Sequence, residues 1–144
     1  MSEVRGCRIP DDLLYSVENN VWARQEGEEI TVGLTAYACA LAGQIVSYTP
    51  KRTGKDVKKN QSCATVESSN WVGPAKAPLG GEVVATNEAV AARPELINED
   101  PYGEGWLVKI KPNNWAEDCT DLLTGGEAQV AFEARMESEY FNGC

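Results

Sequence analysis

A mainly β fold with a few flanking helices is predicted by three features of the sequence. Short segments of alternating or β-branched apolar residues recur along the chain. Turn residues separate them at close intervals, and helix-like periodicity is confined to brief stretches and to the C-terminal end. Many short strands at this spacing imply a sandwich or small barrel. The 144 residues are the size of one domain, and 42% hydrophobic with 24% charged residues is a globular composition.

Glu29 to Leu34 alternates around Ile30, Val32 and Leu34 and reads as a strand. Thr35 to Ala42 reads as a short helix, capped by Thr35 and stopped by Gly43. Gln44 to Thr49 is a strand that halts at Pro50, and Val57 to Val66 is another, running into the polar turn group Glu67, Ser68, Ser69 and Asn70. Trp71 and Val72 resume an extended course before Gly73-Pro74. Leu79-Gly80-Gly81 turns into a strand over Glu82 to Thr86. Trp106 to Lys111 alternates Trp106, Val108 and Ile110 on one face. Asn113 or Asn114 can cap a turn reaching Leu122 and Leu123. From Gly126 onward Ala128, Phe132, Met136 and Tyr140 recur at helical spacing, which predicts a C-terminal helix packed on the sheets.

Composition removes whole classes of function. The chain has no histidine, so the commonest general base and metal ligand are missing and Ser-His-Asp or Cys-His catalysis is excluded. No Gly-x-x-x-x-Gly-Lys-Ser/Thr loop is present, and neither catalytic residues nor a metal site is predicted. A net charge of −9 argues against nucleic acid and anionic lipid. No apolar run approaches the roughly 20 residues of a membrane span. The five cysteines, Cys7, Cys39, Cys63, Cys119 and Cys144, are odd in number and widely spaced. The expectation is five free thiols in a reducing compartment, with no disulfide and no zinc. Charge is uneven: Lys51, Arg52, Lys55, Lys58 and Lys59 crowd one stretch, while 116–144 is strongly acidic. Solvated faces account for both, with a polar docking surface as the sharper alternative.

One run is specific enough to carry a resemblance. Asn98-Glu-Asp-Pro-Tyr-Gly-Glu-Gly-Trp-Leu-Val-Lys-Ile-Lys-Pro112 is similar to the signature of the glycine cleavage system H protein family. Val21-Trp22-Ala23-Arg24, Thr31 to Thr35, Gly43 to Val46, Ala64-Thr65-Val66-Glu67-Ser68, Ala77-Pro78, Gly81 to Val84 and Asn87-Glu88-Ala89 follow in the family's order. The similarity covers roughly residues 9–123, leaving 124–144 as a helical tail. It implies a barrel-sandwich hybrid of two small antiparallel sheets with flanking helices, as in lipoyl and biotinyl domains. Within the run, Pro101 and Gly103 suit a tight turn and Gly105 a close backbone approach, a structural role in preference to a chemical one.

The resemblance also implies a carrier: lipoate on one lysine, placed after Glu-Ser and one apolar residue. Here Glu67-Ser68 is followed by Ser69 and Asn70, and Ala77-Pro78 keeps the family's spacing, so Asn70 takes the lipoyl position. An Asn carboxamide nitrogen is not nucleophilic and accepts no acyl group, so no lipoate cofactor is expected. Substitutes are Lys76 as an attachment site, or Cys63 and Cys39 as redox thiols, with buried, inert thiols the favoured reading of the cysteines. The expectation is therefore a non-catalytic, non-lipoylated module serving as a binding, scaffold or accessory subunit. Glu67, Ser68, Ser69 and Trp71 are its candidate partner-binding residues; Trp71 is either an exposed anchor or folded back over the sheet. The alternative is a carrier of glycine cleavage, or of a related lipoate-dependent pathway, that uses Lys76 or a thiol. The resemblance implies protein partners: the aminomethyltransferase, the glycine decarboxylase, a lipoate-handling enzyme or another multi-subunit complex. Met1 lies a few residues before the resemblance begins, so the cytoplasm is expected ahead of a mitochondrial matrix.

Overall fold

The computed structural model describes residues 2–144. In chain order, β1 (Glu3–Val4) and β2 (Cys7–Arg8) form a small hairpin, and β3 (Leu14–Ser16), β4 (Val21–Glu26) and β5 (Glu29–Leu34) lead into α1 (Ala36–Ala42). Then come β6 (Ile45–Pro50), β7 (Asp56–Val57), β8 (Ser62–Ser68), β9 (Val72–Lys76) and β10 (Gly81–Thr86). Two short helices, α2 (Glu88–Ala92) and α3 (Leu96–Glu99), precede β11 (Val108–Pro112). The chain closes with α4 (Trp115–Asp118), a 3-10 turn at Cys119–Asp121, β12 (Leu123–Thr124) and α5 (Gly125–Ser138).

The strands pair antiparallel as a seven-stranded sheet, β12-β3-β4-β5-β11-β10-β7, and a three-stranded sheet, β6-β8-β9. The mainly β sandwich with a C-terminal helix is thus present, although the sheets are unequal. Between them lies a core of Ile30, Val32, Val66, Val83, Val108 and Ile110, among others. A second cluster, with Tyr15, Trp22, Tyr37, Phe132 and Met136, seats α5.

Local chemistry explains the elements that position the rest. The Thr35 hydroxyl accepts from Ala38 N at 3.1 Å and caps α1, and Gly43, at φ 84°, ends it. The signature run acts as a tie. Trp22 Nε1 donates to the carbonyls of Leu34 and Pro101, both at 3.0 Å, and Arg24 donates to Tyr102 O at 2.8 Å. Asn98 accepts from Ile45 N and donates to Gly43 O, joining the end of α1 to the start of β6. A Cβ on Gly105 would lie 2.5 Å from Leu96 O, so that position requires the close approach only glycine allows.

Several expectations need correction. The segment from Val57 to Val66 is not one strand. Asn60 turns the chain with φ 71° and its N–H donates to Ala77 O, so β7 joins the large sheet and β8 the small one. β6 halts at Pro50 as expected, with Pro50 its last residue, tolerated because β6 is an edge strand. Trp106 precedes β11 and packs in the second cluster, away from the face of Val108 and Ile110. The turn after Asn114 ends at Asp121, and Leu123 pairs with Tyr15 as a strand.

The helical stripe also ends early. Ala128, Phe132 and Met136 are buried, but Tyr140 is 90% exposed. It sits past the helix at φ 56°, and Phe141 N donates to Met136 O at 2.9 Å, the six-to-one bond of a Schellman ending. Phe141, not Tyr140, therefore returns to the protein, 4.8 Å from the ring of Tyr37.

The expectation of five free thiols is overturned. Cys7 and Cys144 form a disulfide across 137 residues, with Cα atoms 5.0 Å apart. Spacing could not reveal it, because the bond depends on the chain after α5 folding back along Arg5, where Cys144 N donates to Arg5 O. Cys39, Cys63 and Cys119 are free.

Candidate functional site

The polar group at 67–70 divides between strand and turn. Glu67 and Ser68 finish β8, opposite Val72 and beside the turn, and only Ser69 and Asn70 form the exposed tip. Alternation along β8 sends Glu67 outward and Ser68 inward. The buried Ser68 hydroxyl donates to Ala42 O at 2.7 Å and accepts from Asn70 N at 3.3 Å, while Ser68 N donates to Trp71 O. Ser68 thus fastens the hairpin to the end of α1. Beyond the tip, Val72, Pro74 and Lys76 face outward on β9, an edge strand that tolerates Pro74.

Trp71 combines both orientations considered from the sequence. Its indole lies over Gly73, where a Cβ would come within 2.3 Å of the ring, yet the residue remains 40% exposed. Trp71 also lines an open cleft of about 270 Å³, together with Leu41, Ala42, Pro74, Glu18 and Arg135. Arg135 is fixed there by donation to Val17 O at 2.5 Å and by its ion pair with Glu139. Around the hairpin, Leu41, Val46, Trp71 and Val72 are exposed large apolar residues. Val46 points outward because pairing of β6 with β8 slips between Ile45 and Ser47. Sequence reasoning missed Leu41 and Val46: the helix Ala36–Ala42 is apolar nearly all round, and a bulge leaves no mark in composition.

The family described as Glycine cleavage H-protein matches residues 13–135. The chain belongs to the glycine cleavage H-protein family. It is 47% identical over 132 residues to glycine cleavage system H protein 5 of Aquifex aeolicus, covering 89% of each chain. It is 43% identical over 142 residues to a probable glycine cleavage system H protein 2 of Sulfurisphaera tokodaii, covering 96% of this chain and 95% of that protein. Among solved structures, the crystal structure of a glycine cleavage system H protein from Mycobacterium marinum superposes with a TM-score of 0.77 at 31% identity. It covers 86% of this chain and 98% of its own. H proteins are lipoyl carriers, not catalytic enzymes, and the family bears its lipoate on a lysine.

The residues at the tip do not fit an amide-linked lipoyl group. Ser69, Asn70 and Trp71 supply a hydroxyl, a carboxamide and an indole, and none is an amine that can be acylated to a stable amide. The nearest lysine along β9, Lys76, is exposed but stands opposite Ser62, at the far end of the hairpin from the turn. The thiol candidates are shut away. Cys39 and Cys63 are buried among apolar neighbours, which pushes each thiol up to about 12 by desolvation of the thiolate. Their Sγ atoms contact the carbonyls of Ile97 and Ala75, both at 3.4 Å. The structure therefore brings Glu67, Ser68, Ser69, Asn70 and Trp71 together at one end of the small sheet and leaves Lys76, Cys39 and Cys63 apart from it. No helix among the described residues is long and apolar enough to cross a membrane.

Proposed function

We propose that this chain is an H-protein relative without a lipoyl arm, a binding or scaffold subunit that docks other proteins through the β8–β9 hairpin. The observation that carries this reading is Asn70 at the exposed tip of the hairpin, with Ser68 fastening the hairpin to α1. Asn70 is read as the counterpart of the family's lipoyl lysine, from the order Glu67-Ser68 before it and Ala77-Pro78 after it. A partly exposed aromatic with the exposed Leu41, Val46 and Val72 around the same hairpin is the kind of surface that protein partners bury. The partners in this reading are enzymes of glycine cleavage, a lipoate-handling enzyme, or the other subunits of a larger complex. The cytoplasm is the compartment proposed, in keeping with bacterial and archaeal relatives.

A second reading rests on family membership itself: the chain is a carrier that uses Lys76, which is exposed and offers a primary amine. The same reading through Cys63 or Cys39 requires thiols that burial keeps protonated. Binding of purified aminomethyltransferase, glycine decarboxylase and lipoate-protein ligase to wild type and to Trp71→Ala separates the readings. Docking predicts at least tenfold weaker binding of one of them to Trp71→Ala, with the far-UV spectrum unchanged. Equal binding of wild type and variant to all of them, together with acylation of Lys76, supports the carrier.

A further inference from the structure

Away from the hairpin, the two ends of the chain are joined by a bond that borders a cavity. Cys7 is fully buried and Cys144 is exposed, and both line a cavity of about 200 Å³ with Arg8, Asn98 and Tyr102. The approach is asymmetric, since Cys144 is an exposed residue and Cys7 a buried one. Exposed disulfides are the labile ones in exchange, and enclosed ones resist reduction.

The surroundings keep the two cysteines together when the bond opens. The β1–β2 turn, Arg5-Gly6, has φ of 50° and 81°, and the tail lies against it. A Cβ on Gly6 would come within 3.2 Å of Cys144 O, and one on Gly143 within 2.8 Å of Arg5 O, so two glycines allow the fit. Arg5 holds the tail without the disulfide: it accepts from Cys144 N, donates to Phe141 O at 2.8 Å, and pairs with Glu133 and Glu137 on α5. Reduced thiols held in this way face each other at high effective concentration, which favours re-closure within the chain. Arg8 lines the same cavity, its guanidinium 5.9 Å from the Tyr102 ring. Of the carboxylates at the cavity, Glu99 is paired with Arg93 at 3.0 Å, and the other is the α-carboxylate of Cys144 itself.

We infer that Cys7 and Cys144 are a reversible two-electron exchange site whose reductant is a small aliphatic dithiol entering at Cys144. One thiolate of the dithiol attacks the Cys144 sulfur. The S–S bond breaks, its electron pair leaves on Cys7, and the Cys7 thiolate takes a proton from solvent. The second thiol then displaces Cys144 and closes a cyclic disulfide on the reductant. Two electrons and two protons pass to the protein. This inference does not rest on the docking reading and survives its failure.

Dithiothreitol is the probe. Native protein, purified in air, is mixed with increasing dithiothreitol without denaturant, quenched by alkylation and weighed intact. The expected rate of gain of two alkyl groups at Cys7 and Cys144 rises in proportion to dithiothreitol. On transfer to oxidised dithiothreitol, the reduced protein is expected to re-form the bond as monomer. A rate independent of dithiothreitol, set by global unfolding, would overturn the assignment. So would re-oxidation into disulfide-linked dimers, or five free thiols in the protein before reduction.

Discussion

Burial divides the cysteines into three chemical kinds. Cys39 and Cys63 are buried, Cys119 is partly exposed, and Cys7 and Cys144 are bonded. Iodoacetamide on the native, unreduced protein is therefore expected to label Cys119 rapidly. Denaturation should raise the count to three, and reduction to five. Rapid native labelling of Cys39 or Cys63 contradicts the burial argument. At this scale the sequence was informative wherever a residue's chemistry is independent of its neighbours. That Asn70 offers no amine is legible from its identity alone. That Cys144 meets Cys7 is not, because the pairing follows from where the chain after Met136 goes. The outward turn of Val46 likewise depends on a slip in pairing with β8.

Helix α1 was legible through its caps, Thr35 and Gly43, since capping is a short-range property. Helices α2 and α3 were not, being single turns held by tertiary contacts: Asn87 caps α2 and also donates to the carbonyls of Glu104 and Trp106. The end of α5 shows the limit of a periodic pattern. Tyr140 fits the spacing but occupies a left-handed position, where a Cβ costs roughly 1–2 kcal/mol. Tyr140→Gly removes that cost and little contact, so denaturant unfolding should show a gain of about 1 kcal/mol; a loss of stability would show that Tyr140 contributes packing. For the hairpin, introducing one lysine is not expected to suffice. Asn70→Lys, incubated with a lipoate-protein ligase, lipoate and ATP, should remain unmodified while Trp71 and Pro74 flank the amine. A displacement of about 1 Å can cost on the order of a hundredfold in rate. Replacing Ser69 to Pro74 with the segment of a lipoylated relative should permit attachment, and full lipoylation of Asn70→Lys alone contradicts this.

Across the whole molecule, two carboxylates and two thiols set opposite limits of pH. Glu26 is held below its ordinary range by the Thr31 hydroxyl, with Lys109 and Arg24 adding to it. Glu139 is lowered by the hydroxyl of Tyr37 and then by Arg135. A lowered folded-state pKa contributes stability that is complete above the unfolded value, about 4.3 for Glu, and is lost as pH falls through the folded one. The raised thiols of Cys39 and Cys63 act in reverse: their contribution is complete below the unfolded value, roughly 8.5, and fades as pH rises above it. The thermal midpoint should therefore be flat from about pH 5 to 8 and decline on both sides. A midpoint that rises below roughly pH 4 would reverse the sign assigned to Glu26 and Glu139.

The fold, the fastened hairpin and the exposed apolar rim are all compatible with a carrier until the tip is reached, where Asn70 stands. The central claim is thus about covalent state. Intact-mass measurement, with peptide mapping, of the protein isolated from its own cells tests it most directly. After full reduction, the account predicts the mass of the unmodified chain. An added lipoyl group at Lys76, or at any other residue, would contradict it.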